Sequence, residues 1–463
     1  MTKCITCGSW NSNYKYIFFS IIFLALYKLT VGFGYDANKN YSTRFLDNGK
    51  FSSNYMIHEV YLYIANIIIA FIMILIEKIS IFSEKKQKQK ENKENDVTLS
   101  NESSHDGNIN LIYRFEGEKY SKKFILYIIF LDVLLGQVSL IFSKFFTHIN
   151  FWMIELYFVA YLYLKIFHIE IYKHQYLAFG INFISMVLIL IKVILTIFEG
   201  DEKKALYVKF WWFIFIAIII FSIYAYFLSY IFVNLKKIFY LKFIPVSRIL
   251  LYYGIIGFIL SVILCTFFSA ITCGKKIENI HEVKDYICKV INYENQTFID
   301  NAKVYFVENW ENSETNEKRN EILISIIQSL LFSIYKYFSY KIIESLNPFH
   351  RIFSGSIYYF TEQMIFFLSN LNKIIQDENI YLKLKMYMDL SSDFLSVLTF
   401  LIYTEIIEIN FCHFNYNLRK NIILRGKNDD SSEYDLDRST INEDDTTING
   451  VSDYNSNYSI SST

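Results

Sequence analysis

The chain is predicted to form an all-α, polytopic bundle of about ten transmembrane helices, in an order that allows a five-plus-five inverted repeat. Three observations lead there. About ten apolar runs approach the ~20 helical residues needed to cross a bilayer core of ~30 Å. Of the 463 residues, 53 % are hydrophobic, and they gather in runs divided by mostly short polar connectors. Only 2 Pro and 15 Gly are available to interrupt those runs. Inside hydrocarbon a backbone must satisfy its own polar groups, so a run such as Leu206–Val233 must be helical.

In chain order the predicted spans are Tyr16–Phe33, Val60–Ile76, Phe124–Phe146, Asn150–Glu170 and Gln175–Phe198, then Leu206–Val233, Ile249–Thr272, Glu321–Phe338, Ile352–Leu371 and Asp389–Phe411. An alternative takes the first run as a cleaved signal peptide, because its apolar core is short and Lys28 follows it. That reading leaves nine spans and places the new N-terminus outside. Residues 83–123 are Lys, Glu, Asn and Ser over much of their length, a composition too polar to bury a core, and read as a flexible loop.

Orientation follows from the bias of basic residues toward the cytosol. With the N-terminus inside, cytosolic connectors hold Lys85, Lys86, Lys88, Lys90 and Lys93, then Lys236, Lys237, Lys242 and Arg248. They also hold Lys336, Lys341 and Arg351, and finally Arg419, Lys420, Arg425 and Lys427. The tally is about 25 basic residues inside against about 17 outside. The long outside loop, residues 273–320, carries the sequon Asn295-Gln296-Thr297, usable only on the lumenal or extracellular side. Its Cys273 and Cys288 suit a disulfide in an oxidising compartment, and the loop has room for a small helical cap. A second sequon begins at Asn40. Both termini are therefore expected in the cytosol, with the protein in the secretory pathway or plasma membrane.

Lys+Arg and Asp+Glu balance at 45 each, so no net field points to nucleic acid or an acidic partner. Phe (44) and Tyr (38) are extreme. Codon bias in an AT-rich genome is the plain explanation, and an aromatic ligand cage the sharper one. The tail from residue 428 is acidic and hydroxyl-rich; it reads as disordered and solvated, with partner binding as the alternative.

Five spans per half give the halves opposite orientation. The two longest connectors each follow the second span of a half, one cytosolic and one outside. This topology resembles the drug/metabolite transporter superfamily, whose members are typically richer in Gly and Ala at helix contacts. The segment Glu405-Ile-Ile-Glu-Ile-Asn-Phe-Cys-His-Phe-Asn-Tyr-Asn-Leu-Arg-Lys-Asn-Ile422 resembles the closing segment of an uncharacterised multi-pass family of low-GC unicellular eukaryotes. Asn347-Pro-Phe-His-Arg-Ile-Phe-Ser354 with Ile357-Tyr-Tyr-Phe360 resembles the same family. The resemblance implies a shared fold and no reaction.

A charge at bilayer depth costs about 3 kcal/mol or more, so each asks for a partner, a cavity or a function. Glu362 lies near the middle of the ninth span beside Gln363, and shares a helix face with Gly355 and Tyr359. Its expected partner is a cation such as Lys192, unless the carboxyl is protonated or Lys192 snorkels to the interface instead. Asp132, Gly136, Ser139 and Ser143 form a similar stripe on the third span, and Ser392, Ser396, Thr399 and Tyr403 on the tenth. Such stripes either pack helices closely through hydrogen bonds or line a wet path. Glu155 is off-centre and ambiguous, whereas Glu405 and Glu408 read as structural partners of Arg419 or Lys420. Pro245 and Pro348 both fall in connectors, which argues against broken helices; Gly254 and Gly257 allow close packing or a hinge.

Cys4-Ile-Thr-Cys7 has zinc-ligand spacing but no second pair, so no metal site is expected; lipidation is the other use for these cysteines. No phosphate loop, dinucleotide fingerprint, H-E-x-x-H or G-x-S-x-G occurs, so neither an enzyme nor a cofactor is expected. The leading expectation is a secondary transporter of a small polar or charged solute. Glu362 and Asp132 would face the path, with Gln363, Gln328 and Ser139 lining it. The rival is a polytopic receptor, sensor or scaffold whose tail and loops meet other proteins.

Overall fold

The computed structural model describes residues 5–7, 12–37, 55–95, 122–145, 152–167, 171–198, 213–242, 244–270, 272–275, 288–291, 295–298, 315–369 and 380–409. Ten α-helices dominate them. In the first half of the chain run α1 (Lys15–Ala37), α2 (Tyr55–Asn95), α3 (Lys122–Phe145), α4 (Glu155–Phe167) and α5 (Lys173–Phe198). In the second run α6 (Phe213–Lys242), α7 (Val246–Ala270), α8 (Thr315–Ser345), α9 (Pro348–Ser369) and α10 (Ile380–Tyr403). Four of them contain segments long and apolar enough to cross a membrane: Glu59–Ser80, Lys173–Leu195, Ile218–Phe239 and Val246–Ala270.

Two compact units emerge. One comprises Met1–Thr6 with Glu408–Thr463 and the other Cys7–Ile407. Short strands β1 (Ile5–Cys7) and β5 (Ile407–Ile409) pair with each other. All ten helices belong to the larger unit, as do β2 (Thr272–Lys275), β3 (Cys288–Ile291) and β4 (Asn295–Phe298).

Polarity in the helical unit is distributed as a bilayer demands. Buried positions include Asn66, Asp132, Gln137, Glu155, Asn182 and Ser229, whereas Phe183, Ile184, Ile219, Ile259, Ile263 and Phe267 are exposed. Soluble monomers rarely expose apolar surface on that scale. One apolar cluster joins α2, α3, α6, α7 and α8 around Tyr63, Ile128, Phe232 and Tyr340. A second joins α1, α4, α6, α9 and α10 around Leu156, Val233, Phe353 and Phe400.

Local sequence explains the joints. Asn347 caps α9, its Oδ1 accepting the His350 backbone N–H at 3.1 Å, and Pro348 takes the first helical position, where its missing N–H costs nothing. Helix α7 packs on α2 through two glycines. A Cβ on Gly257 would overlap the Tyr63 ring, and one on Gly254 would stand 2.7 Å from Ile67 Cγ1 and 3.2 Å from the Tyr63 carbonyl.

Three expectations need correction. Among its described residues the predicted fourth span holds a 3-10 turn, Trp152–Ile154, and then an α-helix of only 13 residues, α4, about 20 Å at 1.5 Å per residue and short of the ~20 residues that a crossing takes. Helix α2 runs on to Asn95, so the first part of the expected flexible loop, residues 83–95, is helical. The outside loop, given room for a small helical cap, holds an antiparallel sheet ordered β2-β4-β3 in its described residues. Cys273 lies on β2, Cys288 opens β3 and Asn295 opens β4 between them. The side chains of these three, Asn40, residues 96–121 and the tail beyond residue 409 lie outside the described parts, and with them the glycosylation and disulfide expectations.

Candidate functional site

Helices α1, α4, α6, α8 and α9 enclose a cavity of about 430 Å³. Spacing along each helix explains which side chains reach it. On α8, Phe332, Lys336, Ser339 and Tyr340 recur at three- and four-residue steps, and so do Arg351, Gly355, Tyr358 and Tyr359 on α9. Tyr27 and Lys28 enter from α1, Tyr224 and Phe232 from α6, and Glu155 from the start of α4.

Helix α4 begins deep in the bundle. The Met153 carbonyl just before it accepts from Asn182 Nδ2 at 3.3 Å, and the Glu155 carbonyl accepts from Ser229 Oγ at 3.2 Å. Asn182 and Ser229 both lie well inside the apolar segments Lys173–Leu195 and Ile218–Phe239. The N-terminus of α4 is therefore held within those segments, and Glu155 sits in its first turn, where the helix dipole favours a carboxylate. Glu155 is thus deep, which corrects its off-centre placement from sequence. No proline stands at this start: Pro245 and Pro348 lie elsewhere in the chain.

Two ion pairs meet at the cavity wall. Arg351 Nη1 lies 3.8 Å from Glu155 Oε2, with the arginine side chain 25 % exposed and the glutamate 5 %. Because Arg351 lines the cavity, it keeps that exposure although Phe232 lies beneath its guanidinium, 4.4 Å from the ring centroid. Lys336 Nζ lies 3.3 Å from Asp132 Oδ2, and the Tyr340 hydroxyl donates a short hydrogen bond to the same carboxylate. The lysine also stands over the rings of Tyr253 and Tyr340, 4.5 and 4.9 Å from their centroids. Cations over aromatic faces in a desolvated setting gain about 2 kcal/mol or more. Such a wall offers charged groups, tyrosine hydroxyls and flat apolar faces to a solute of a few atoms' width.

The residues expected to line a path fare unevenly. Asp132 is buried and meets the cavity only through Lys336 and Tyr340. Ser139 donates to its own helix at the Gly136 carbonyl, 2.8 Å away, and Gln328 Nε2 ties α8 to α1 at the Thr30 carbonyl, 3.1 Å away. Neither lines the cavity. Glu362 is exposed and Gln363 half-buried, because the cavity closes at Tyr358 and Tyr359, one turn earlier on α9. Glu362 hydrogen-bonds Tyr358, while Lys192, its expected partner, pairs with Asp389 at 2.6 Å. The α10 stripe is a packing seam: Ser392 and Ser396 meet Ser185 of α5 at 2.8 and 3.1 Å.

Sequence reading missed Arg351 and Lys336 as site residues because both counted toward the cytosolic positive charge. A signal was present, since Arg351 lies one turn before Gly355 on the stripe that carries Tyr359. No family model matches the chain, and no curated protein matches it. Its chemistry therefore rests on these residues alone.

Proposed function

We propose that the protein is a multi-pass membrane transporter that carries a small polar or charged solute by alternating access. The carrying observation is the cavity with two ion pairs at its wall, which together with a third pair away from it each join a helix to the one five places later. Asp132–Lys336 joins α3 to α8, Glu155–Arg351 joins α4 to α9, and Lys192–Asp389 joins α5 to α10. An inverted repeat of five plus five helices brings such pairs face to face.

Helix contacts support the same division. Advancing each helix by five exchanges α1–α8 with α6–α3, α3–α7 with α8–α2, and α1–α9 with α6–α4. The contacts α2–α7, α4–α9 and α5–α10 return to themselves. The buried N-terminus of α4 adds the half-helix that secondary transporters place at their binding sites. Glu155 and Arg351 are the central pair in this reading, and Glu362 has no role in the path.

Thiol labelling tests whether the cavity is wet. In a chain cleared of native cysteines, Gly355→Cys fits without strain, because a Cβ there has no neighbouring heavy atom within 4 Å. It should react with a small water-soluble thiol reagent in intact membranes, whereas Ile365→Cys, on the exposed apolar surface of α9, should not. Equal inertness at both positions would favour a dry scaffold.

A further inference from the structure

Behind the cavity wall, α2, α3 and α7 enclose a second polar centre that the solute path does not use. Gln137 Nε2 has three acceptors within reach of its two N–H groups, Tyr63 Oη at 3.0 Å, Ser261 Oγ at 3.0 Å and Glu59 Oε2 at 3.4 Å. Glu59 is only 8 % exposed and lies at one end of the apolar segment Glu59–Ser80. It forms no ion pair among the described residues. Gln137 Oε1 is buried there and has no hydrogen-bond partner among the described residues.

We propose that Glu59 is a proton-binding site, and that its proton is the ion coupled to solute movement. The inference rests on the transport reading of the cavity. A buried carboxylate whose hydrogen-bond partners are neutral is unfavourable unless a cation closes on it, whereas the carboxylic acid is satisfied by the groups already present. A sodium ion would need oxygens around it, yet the Gln137 amide nitrogen occupies the middle of the cluster. The titratable and charged groups facing Glu59 are Tyr27 of α1, Tyr63 of its own helix, Tyr253 of α7 and Lys336 of α8.

Lys336 links the two centres. With Glu59 protonated, the lysine rests on Asp132 and its charge is neutralised at the cavity wall. When the proton leaves the Glu59 carboxyl for water, the resulting anion draws Lys336 along the faces of Tyr253 and Tyr340. One proton bound or released at Glu59 thereby resets the charge that Lys336 presents to a solute.

Infrared difference spectroscopy of the full-length protein in nanodiscs tests the assignment, with protons as the only probe. Acidification should raise a protonated-carboxyl C=O band that is lost in Glu59→Gln and retained in Glu362→Gln. Because Glu59→Gln mimics the protonated acid, it should fold. Should it not, Tyr63→Phe keeps the ring against Gly257, removes the hydroxyl beside Glu59 and should shift the band. A band unchanged in both variants would overturn the proposal, as would a band that sodium chloride removes at fixed pH while choline chloride does not. Failure of the transport reading would show separately, as an unreactive Gly355→Cys.

Discussion

Asp132 and Lys336 show what single residues contribute at bilayer depth. Their side chains are 5 % and 14 % exposed, so removing one partner strands the other. Asp132→Asn should cost about 3–5 kcal/mol, and replacing Lys336 as well by methionine should recover part of it. Thermal unfolding in detergent would check both changes, and equal losses in the single and double variants would contradict the pairing. His350 gives a pH dependence at the end of α9, ahead of the predicted ninth span. Burial, assisted by the Lys236 charge, pushes its pKa from 6.5 down to about 3, so the folded protein keeps the ring neutral beside Asn347 Oδ1, 2.5 Å away. On acidification the unfolded chain takes up the proton first. The contribution is complete above about 6.5 and is lost as pH falls from there toward about 3. His350→Phe should flatten that part of the curve of melting temperature against pH. Asp132 stood out in the sequence by its isolation in an apolar run. Lys336 was not, because a lysine near the end of a run reads as an interfacial anchor until its partner on another helix is known.

At the scale of elements, most helices were legible because hydropathy decides them, and the failures have physical causes. Apolar content alone cannot reveal that α4 starts at Glu155, since the residues before it are as hydrophobic as those after. The contacts made there are tertiary: Asn182 and Ser229 hold the backbone at Met153 and Glu155. The loop after α7 misled for another reason, because its sheet pairs segments too short to carry a periodic pattern. Of the two uses left open for the glycines of α7, close packing or a hinge, their contacts with Tyr63 and Ile67 show the first, and they divide sharply from Gly136 of α3. Gly257→Ala should destabilise by about 1–3 kcal/mol through overlap with Tyr63. By contrast, Gly136→Ala should be nearly neutral, because its Cβ would meet Tyr253 Oη at 3.8 Å and Tyr63 Oη at 3.9 Å, both ordinary contacts. Reversed sensitivities in a melting assay would contradict this packing of α2 on α7.

Across the whole molecule, the inverted-repeat expectation came from counting spans and connectors, and the described residues hold ten α-helices, four of them with segments long and apolar enough to cross. The pairing of helices five apart could not be read from sequence, because each pair joins residues far apart in the chain. Only the folded chain brings Glu155 to Arg351 and Lys192 to Asp389. If the halves move against each other, these pairs are made and broken as the cavity changes sides. The most direct measurement is side-specific labelling of Gly355→Cys in oriented vesicles, using a membrane-impermeant thiol reagent. It is made once with the native Lys192–Asp389 contact and once with that contact held through an added non-thiol cross-link between lysine and aspartate. Alternating access predicts labelling from both sides in the free protein and from the cytosolic side alone once α5 and α10 are tethered. Labelling from one side only, unchanged by the tether, would contradict it.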